Sequence, residues 1–119
     1  MTLYKRRIGN FGEDIACDYL QKNGYEIIAR NKRYSKISEI DIVAKIKNTI
    51  VFVEVKTRRN NDFGTPFEAI TKTKYNHMKQ GALTFLSESE NKYENFRLDV
   101  IGITLQPKVE INHMENITF

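Results

Sequence analysis

Apolar residues along Tyr4–Asn23 recur at helical spacing. Ile8, Ile15, Ala16, Tyr19 and Leu20 fall on one broad stripe, and Gly24 follows as a stop signal. The period then shortens. Tyr25–Arg30 is predicted as a first strand with room to run on to Tyr34, and the β-branched runs Glu39–Val43 and Val51–Lys56 as a second and third. Between the last two lies the polar stretch Lys45–Thr49, which suits a hairpin turn centred on Lys47-Asn48, with Asn48 taking positive φ. A polar loop is expected over Thr57–Thr65, containing Asp62-Phe63-Gly64. Helical spacing returns with Tyr75, Met78, Ala82, Phe85 and Leu86. It predicts a second helix from Thr71 or Thr73 to about Ser89, with a Thr as its N-cap. Phe96–Leu105 reads as a strong strand and Val109–His113 as a weaker one after Pro107. The order is αβββαβ, with a further short C-terminal strand. A helix between the third and fourth strands permits a parallel crossover, so the fold class is α/β: a mixed sheet flanked by helices.

Two of the strands carry charge where a buried strand should carry none. In a hairpin of that register, residue 46 pairs with 49, 44 with 51 and 41 with 54. Asp41 then lies across from Glu54, and Glu39 across from Lys56. Opposed carboxylates repel unless something positive sits between them, and a divalent cation or the Lys56 ammonium would serve. Asp41 and Glu54 are hard oxygen ligands of the kind Mg²⁺ or Mn²⁺ prefers, and the Val55 carbonyl would add another. Lys56 is then placed to orient an attacking water. The alternative is an ionic ladder, Glu39–Lys56 and Asp41–Lys56, on a solvated sheet face. Val51, Val53 and Val55 already supply a core face, which weighs against it.

The chain has 119 residues, which suits one domain spanning 1–119. No apolar run is long enough to span a membrane. The basic start Met1–Arg7 leads into no apolar segment, so no signal peptide is read and a cytoplasmic location is expected. Cys17 is the only cysteine, which excludes an intramolecular disulfide and a cysteine-rich zinc site. His77 and His113 look isolated, and Gly9 and Gly12 fit no phosphate-loop fingerprint. Net charge is +4, with positive residues gathered at Lys5–Arg7, Arg30–Arg33, Lys56–Arg59 and Lys72–Lys74. Any one of these reads first as a solvated patch. Together, and flanking the acids, Arg33, Arg58, Arg59, Lys72 and Lys74 form a candidate phosphate-binding set, with DNA as the expected partner. Lys74 has a second reading as a core-edge lysine. Glu13 sits at the edge of the first helix's stripe, and spacing alone makes it a surface residue pairing with Lys5 or Arg6. Arg97 and Asp99 share a strand face and can simply pair with each other.

Asp41 followed after a hairpin by Glu54-Val55-Lys56 resembles the signature of the PD-(D/E)XK nuclease superfamily, the restriction-endonuclease-like fold, with Ile40 where a Pro often stands. A closer resemblance covers nearly the whole chain. Gly12-Glu13, Gly24-Tyr25, Arg30-Asn31, Ser38–Asp41, Val51–Arg58, Phe63-Gly64, Pro66, Glu68–Ile70, Lys74 and Arg97–Val100 look like the YraN-like family of uncharacterised bacterial proteins, which usually has Gly at position 38 and Phe at 98. This resemblance implies an endonuclease-like domain similar to archaeal Holliday junction resolvases, with a metal site built from Glu13, Asp41, Glu54 and Lys56. The function it implies is a Mg²⁺- or Mn²⁺-dependent endonuclease acting on DNA, with selectivity for branched structures. A homodimer would suit a two-fold junction. The alternative is an inactive nucleic-acid-binding or assembly module that keeps the fold.

Overall fold

Helix α1, Leu3–Lys22, ends where the sequence says it should. Gly24 takes φ +88°, and the chain closes with Gly24 N–H on the Gln21 carbonyl and Tyr25 N–H on the Leu20 carbonyl. That double bond is a Schellman cap, which needs a residue at ease with positive φ. Leu20 and Tyr25 then pack in the same core cluster, fixing the exit of the chain from the helix. The computed structural model describes residues 3–36, 38–60 and 70–118, and the side chains from residue 8 onward. The Asp62-Phe63-Gly64 segment, Pro66 and Glu68-Ala69 fall at 61–69, outside the described residues, as do the Lys5 and Arg6 side chains.

The strands are β1 (Glu26–Arg33), β2 (Glu39–Ile46), β3 (Thr49–Arg58), β4 (Asn95–Thr104) and β5 (Glu110–Met114), with helix α2 (Lys72–Glu88) between β3 and β4. Among the described residues they form one sheet in the order β1-β2-β3-β4-β5. β3 and β4 run parallel, and every other neighbouring pair is antiparallel. The chain is therefore a mixed α/β fold in the order αβββαββ. Thr71 caps α2, its hydroxyl accepting from the Lys74 amide at 3.1 Å. No described helix is long and apolar enough to cross a membrane.

The two helices cover opposite faces. Ala16 and Leu20 of α1 pack with Ile42, Ala44, Val51, Val53, Ile101 and Ile103. Met78 and Ala82 of α2 pack with Ile40, Val43, Ile50, Phe52, Leu98 and Val100. β3 and β4 are thus covered on both sides, which is why their sequences read as continuous apolar runs.

The β2–β3 hairpin has the expected register, Ile46 opposite Thr49 and Ala44 opposite Val51. Two details differ. Lys47, not Asn48, takes the positive φ, at +52°. The paired register also stops at Ile42–Val53, so Asp41–Glu54 and Glu39–Lys56 are not ladder partners. The reason lies in β2. Ile40 and Val43 both join the α2-side core while Ile42 joins the other, which breaks the two-residue alternation beside Asp41. Glu39 pairs with Arg33 of β1 instead. The expected loop at Thr57 also starts later, because Thr57 and Arg58 still pair with Ile103 and Thr104 of β4.

α1 approaches the end of β3 closely at one point. A Cβ added at Gly12 would lie 1.8 Å from Thr57 Oγ1 and 2.8 Å from Thr57 Cβ. Gly12 therefore lets the helix bring Glu13 up to the sheet.

Candidate functional site

Where β2 leaves the ladder, its side chain replaces its backbone. The Val55 amide donates to Asp41 Oδ2 at 2.8 Å. The N–H and C=O of one strand residue point to the same side, so the Val55 carbonyl also faces away from β4, towards β2. The Glu54 carboxyl lies beside that of Asp41, close enough for the two to interact. Burial, and then the charge of Glu54, hold Asp41 well above the usual carboxylate range, against the opposing pull of the Val55 amide. The Glu54 side chain is only 7% exposed. Its Oε1 lies 3.4 Å from Lys56 Nζ and 3.0 Å from Lys74 Nζ. Burial, then contact with Lys74, hold Lys56 below its usual range.

Glu13 closes the site from α1, and its charge is felt at Asp41. Burial raises its pKa, with Arg30 opposing. Arg30 Nη2 sits 3.6 Å from Glu13 Oε1 and 2.9 Å from Asp14 Oδ1. Among the described residues, Glu13 Oε1 is buried with no hydrogen-bond partner. A buried carboxylate oxygen approached by Arg30 at 3.6 Å, two neighbouring carboxyls and a carbonyl facing β2 make a hard-oxygen donor set, and it fits a divalent cation such as Mg²⁺ or Mn²⁺.

The structure brings Glu13, Asp41, Glu54, Val55, Lys56 and Lys74 together. The other expected basic residues lie farther out. Arg58 is half-buried at the end of β3, Arg59 is exposed just beyond it, and Lys72 is exposed at the start of α2. Arg33 is held in its ion pair with Glu39. Lys74, expected to face a phosphate, is seated on Glu54.

A second polar cluster is legible in the sequence only as its Arg97–Asp99 pair, which the structure forms. Asp99 is fully buried in β4. It accepts from Arg97 Nε at 3.0 Å and from the Asn116 amide at 2.9 Å, and pairs with His113 Nε2 at 2.7 Å. Burial works to raise the Asp99 pKa, but His113 and Arg97 outweigh it and the carboxyl is held low. Arg97 Nη2 also reaches the Tyr25 hydroxyl at 2.6 Å and Glu115 Oε1 at 2.7 Å, and Tyr19 hydroxyl meets His113 Nδ1 at 2.9 Å. His113 is therefore not isolated. Asp99, His113 and Glu115 lie close enough to share an ion, but the Arg97 guanidinium already occupies that place. The cluster reads as a brace between α1, β4 and β5. Its sequence signal is the pair of opposite charges, Arg97 and Asp99, on one face of an apolar strand; Tyr19, Tyr25, His113 and Glu115 join it from elsewhere in the chain.

Comparison with known proteins adds relatives. The model of the uncharacterised protein family UPF0102 matches residues 12–103. A UPF0102 protein of Caldicellulosiruptor saccharolyticus is 50% identical over 107 residues, covering 90% of each chain. Others are 49% identical in Clostridium botulinum, over 88% of this chain and 85% of that one, and 39% identical in Syntrophomonas wolfei, over 93% and 96%. Among solved structures, Pyrococcus furiosus SfsA in complex with Ca²⁺ aligns over 93% of this chain and 63% of its own, at TM-score 0.41 and 16% identity. That likeness is too slight to bear on function.

Proposed function

Since this chain belongs to the uncharacterised protein family UPF0102 and gathers two neighbouring carboxyls and a lysine where β2 stops pairing with β3, we propose that it is a divalent-cation-dependent endonuclease hydrolysing phosphodiester bonds in DNA. The order of Asp41, Glu54, Val55 and Lys56 resembles the PD-(D/E)XK signature, and selectivity for branched DNA, as in Holliday junction resolvases, is part of the proposal. The observation that carries it is Asp41 held by the Val55 amide beside the buried Glu54, where the β2–β3 pairing has stopped.

Asp41, Glu54 and the Val55 carbonyl would hold Mg²⁺ or Mn²⁺, with Glu13 as an accessory acid. The bound ion supplies Lewis-acid polarisation of a phosphoryl oxygen and a water of lowered pKa. The remaining work falls to the chain. Val55 N–H fixes the rotamer of Asp41. Lys56 positions the attacking water with its ammonium and offsets the charge that builds on the phosphate in the transition state. Arg58 and Arg59, which follow Lys56 in the chain, and Lys72, two residues before Lys74, hold flanking phosphates, and Arg33 joins them once released from Glu39. A homodimer would present two such sites to a two-fold junction.

Metal titration by calorimetry, wild type against Asp41→Asn, tests the site. Heat from the wild type that Asp41→Asn lacks supports it, and equal heats remove Asp41 from it. Cleavage of a panel of linear, branched and single-stranded DNA then tests the activity. One observation favours a second reading, an inactive binding module: Lys56 and Lys74 already balance Glu54 without any ion. Salt-dependent DNA binding with no turnover in Mg²⁺ or Mn²⁺ would select that reading.

A further inference from the structure

We infer that Lys74 is a stand-in for the cation: its ammonium occupies Glu54 while the site holds no divalent ion, and binding of one expels it. The inference rests on the proposed metal site. Lys74 comes from α2, and its Nζ lies 3.0 Å from Glu54 Oε1, nearer than Lys56 Nζ at 3.4 Å. Both ammoniums therefore contact a single oxygen of a carboxylate that is almost wholly out of water, and that carboxylate is the proposed ligand.

Repulsion at the shared Glu54 oxygen favours the release of one ammonium. Asp41 and Glu54 together offer at most two negative charges. Lys56 and Lys74 offer two positive ones, while Arg30 is shared between Asp14 at 2.9 Å and Glu13 at 3.6 Å. A divalent ion added to this set would face two ammoniums at short range, a repulsion that a part-buried site screens weakly. Mobility decides which of the two leaves. Lys56 is fixed two residues from Glu54 on the same strand, with its side chain 23% exposed. Lys74 reaches in from a separate element and is 40% exposed, so it has both the freedom and the path to withdraw.

Withdrawal leaves the helix intact. The Thr71 cap uses the Lys74 backbone amide and not its side chain, so α2 keeps its N-terminus whatever the side chain does. Once released, the ammonium stands at the mouth of the site, where a substrate phosphate would lie. Metal binding thereby converts an internal counter-charge into a substrate contact. By linkage, a phosphate that draws Lys74 away strengthens metal binding by the same factor.

The test is calorimetric titration of Mn²⁺ into metal-stripped wild type, Lys74→Met, Lys74→Arg and Asp41→Asn. Lys74→Met is expected to bind Mn²⁺ about three- to tenfold more tightly than wild type, because the competing charge is gone. Lys74→Arg keeps the charge and should bind like wild type. Heat from Lys74→Met where wild type gives none also supports the inference. Equal or weaker binding by Lys74→Met, with Asp41→Asn inactive in binding, overturns the inference and leaves the metal site standing. No heat from any of the four proteins overturns both.

Discussion

The Asp41 carboxylate accepts a hydrogen bond from the Val55 backbone amide at 2.8 Å, across the point where β2 and β3 stop pairing. That bond takes the place of a ladder bond and points an acid inward, against Glu54. The arrangement has a thermodynamic consequence. The folded pKa of Asp41 lies above its unfolded value of about 4, so between the two the folded state holds an extra proton. Stability therefore falls as pH rises through that window and stays reduced above it. Asp41→Asn keeps an oxygen for the Val55 amide and removes the charge. In metal-free protein at neutral pH it should melt higher than wild type, by a gain of about 1 kcal/mol or more. The gain should vanish below about pH 4, where both side chains are neutral. Melting curves across that range, recorded with a chelator, check it, and a lower melting point for Asp41→Asn at neutral pH would contradict it.

Glu54 has the opposite role, because two ammoniums depend on it. Glu54→Gln removes the carboxylate that Lys56 and Lys74 both contact and leaves Asp41 as the nearest counter-charge. It should cost about 1–3 kcal/mol of stability in the metal-free protein. Cleavage should fall by at least about a hundredfold while DNA binding persists. Urea melts and turnover assays read the two effects separately. Undiminished turnover would remove Glu54 from the chemistry.

Much of the hairpin and both helix ends are legible in the sequence, and the reason is local. The pairing of Ala44 with Val51 follows from a short turn and a period of two, both written in neighbouring residues. The Gly24 cap and the Thr71 cap are likewise one-residue decisions. The features hidden from the sequence depend on contacts between distant segments. The break at Asp41 is set by Ile40 packing under α2, and no alternation rule reveals it. Lys74 reaches Glu54 only because α2 crosses back over the sheet. His113 looks solitary in the sequence because Asp99, Tyr19 and Tyr25 reach it from other elements.

The Asp99 cluster predicts an acid limb of stability. The folded pKa of Asp99 is lowered, so its contribution is present above the unfolded value of about 4 and is lost as pH falls below it, through the folded pKa. Asp99→Asn weakens the pairing of a half-buried Arg97 and of His113 and should cost about 3 kcal/mol at neutral pH. The variant's stability should also change less between pH 5 and pH 2 than the wild type's. Its affinity for Mn²⁺ should equal the wild type's, because the brace and the candidate metal site are separate. Denaturant midpoints against pH decide the first point and calorimetry the second. A loss of metal binding without unfolding would show that the two clusters are coupled.

Gly12 sets a limit on packing between α1 and β3. A methyl group there would lie inside the van der Waals radius of three Thr57 atoms: Oγ1 at 1.8 Å, Cβ at 2.8 Å and Cγ2 at 2.9 Å. The Oγ1 clash can be relieved by rotating χ1, but the Cβ clash cannot, because Cβ moves only with the β3 backbone. Gly12→Ala should therefore push α1 off the end of β3, at a cost of about 1–3 kcal/mol, even though alanine is the better helix former. Thr57→Ala removes two of the three clashing atoms and leaves the third. The double variant should accordingly recover part of the loss and not all of it, a coupling that a double-mutant cycle measures directly. Glu13 rides on the same turn of α1, so the displacement should also withdraw the accessory acid from Asp41. A Gly12→Ala protein that loses Mn²⁺ affinity in proportion to its stability, and regains both with Thr57→Ala, would tie the close approach of helix and strand to the assembly of the site.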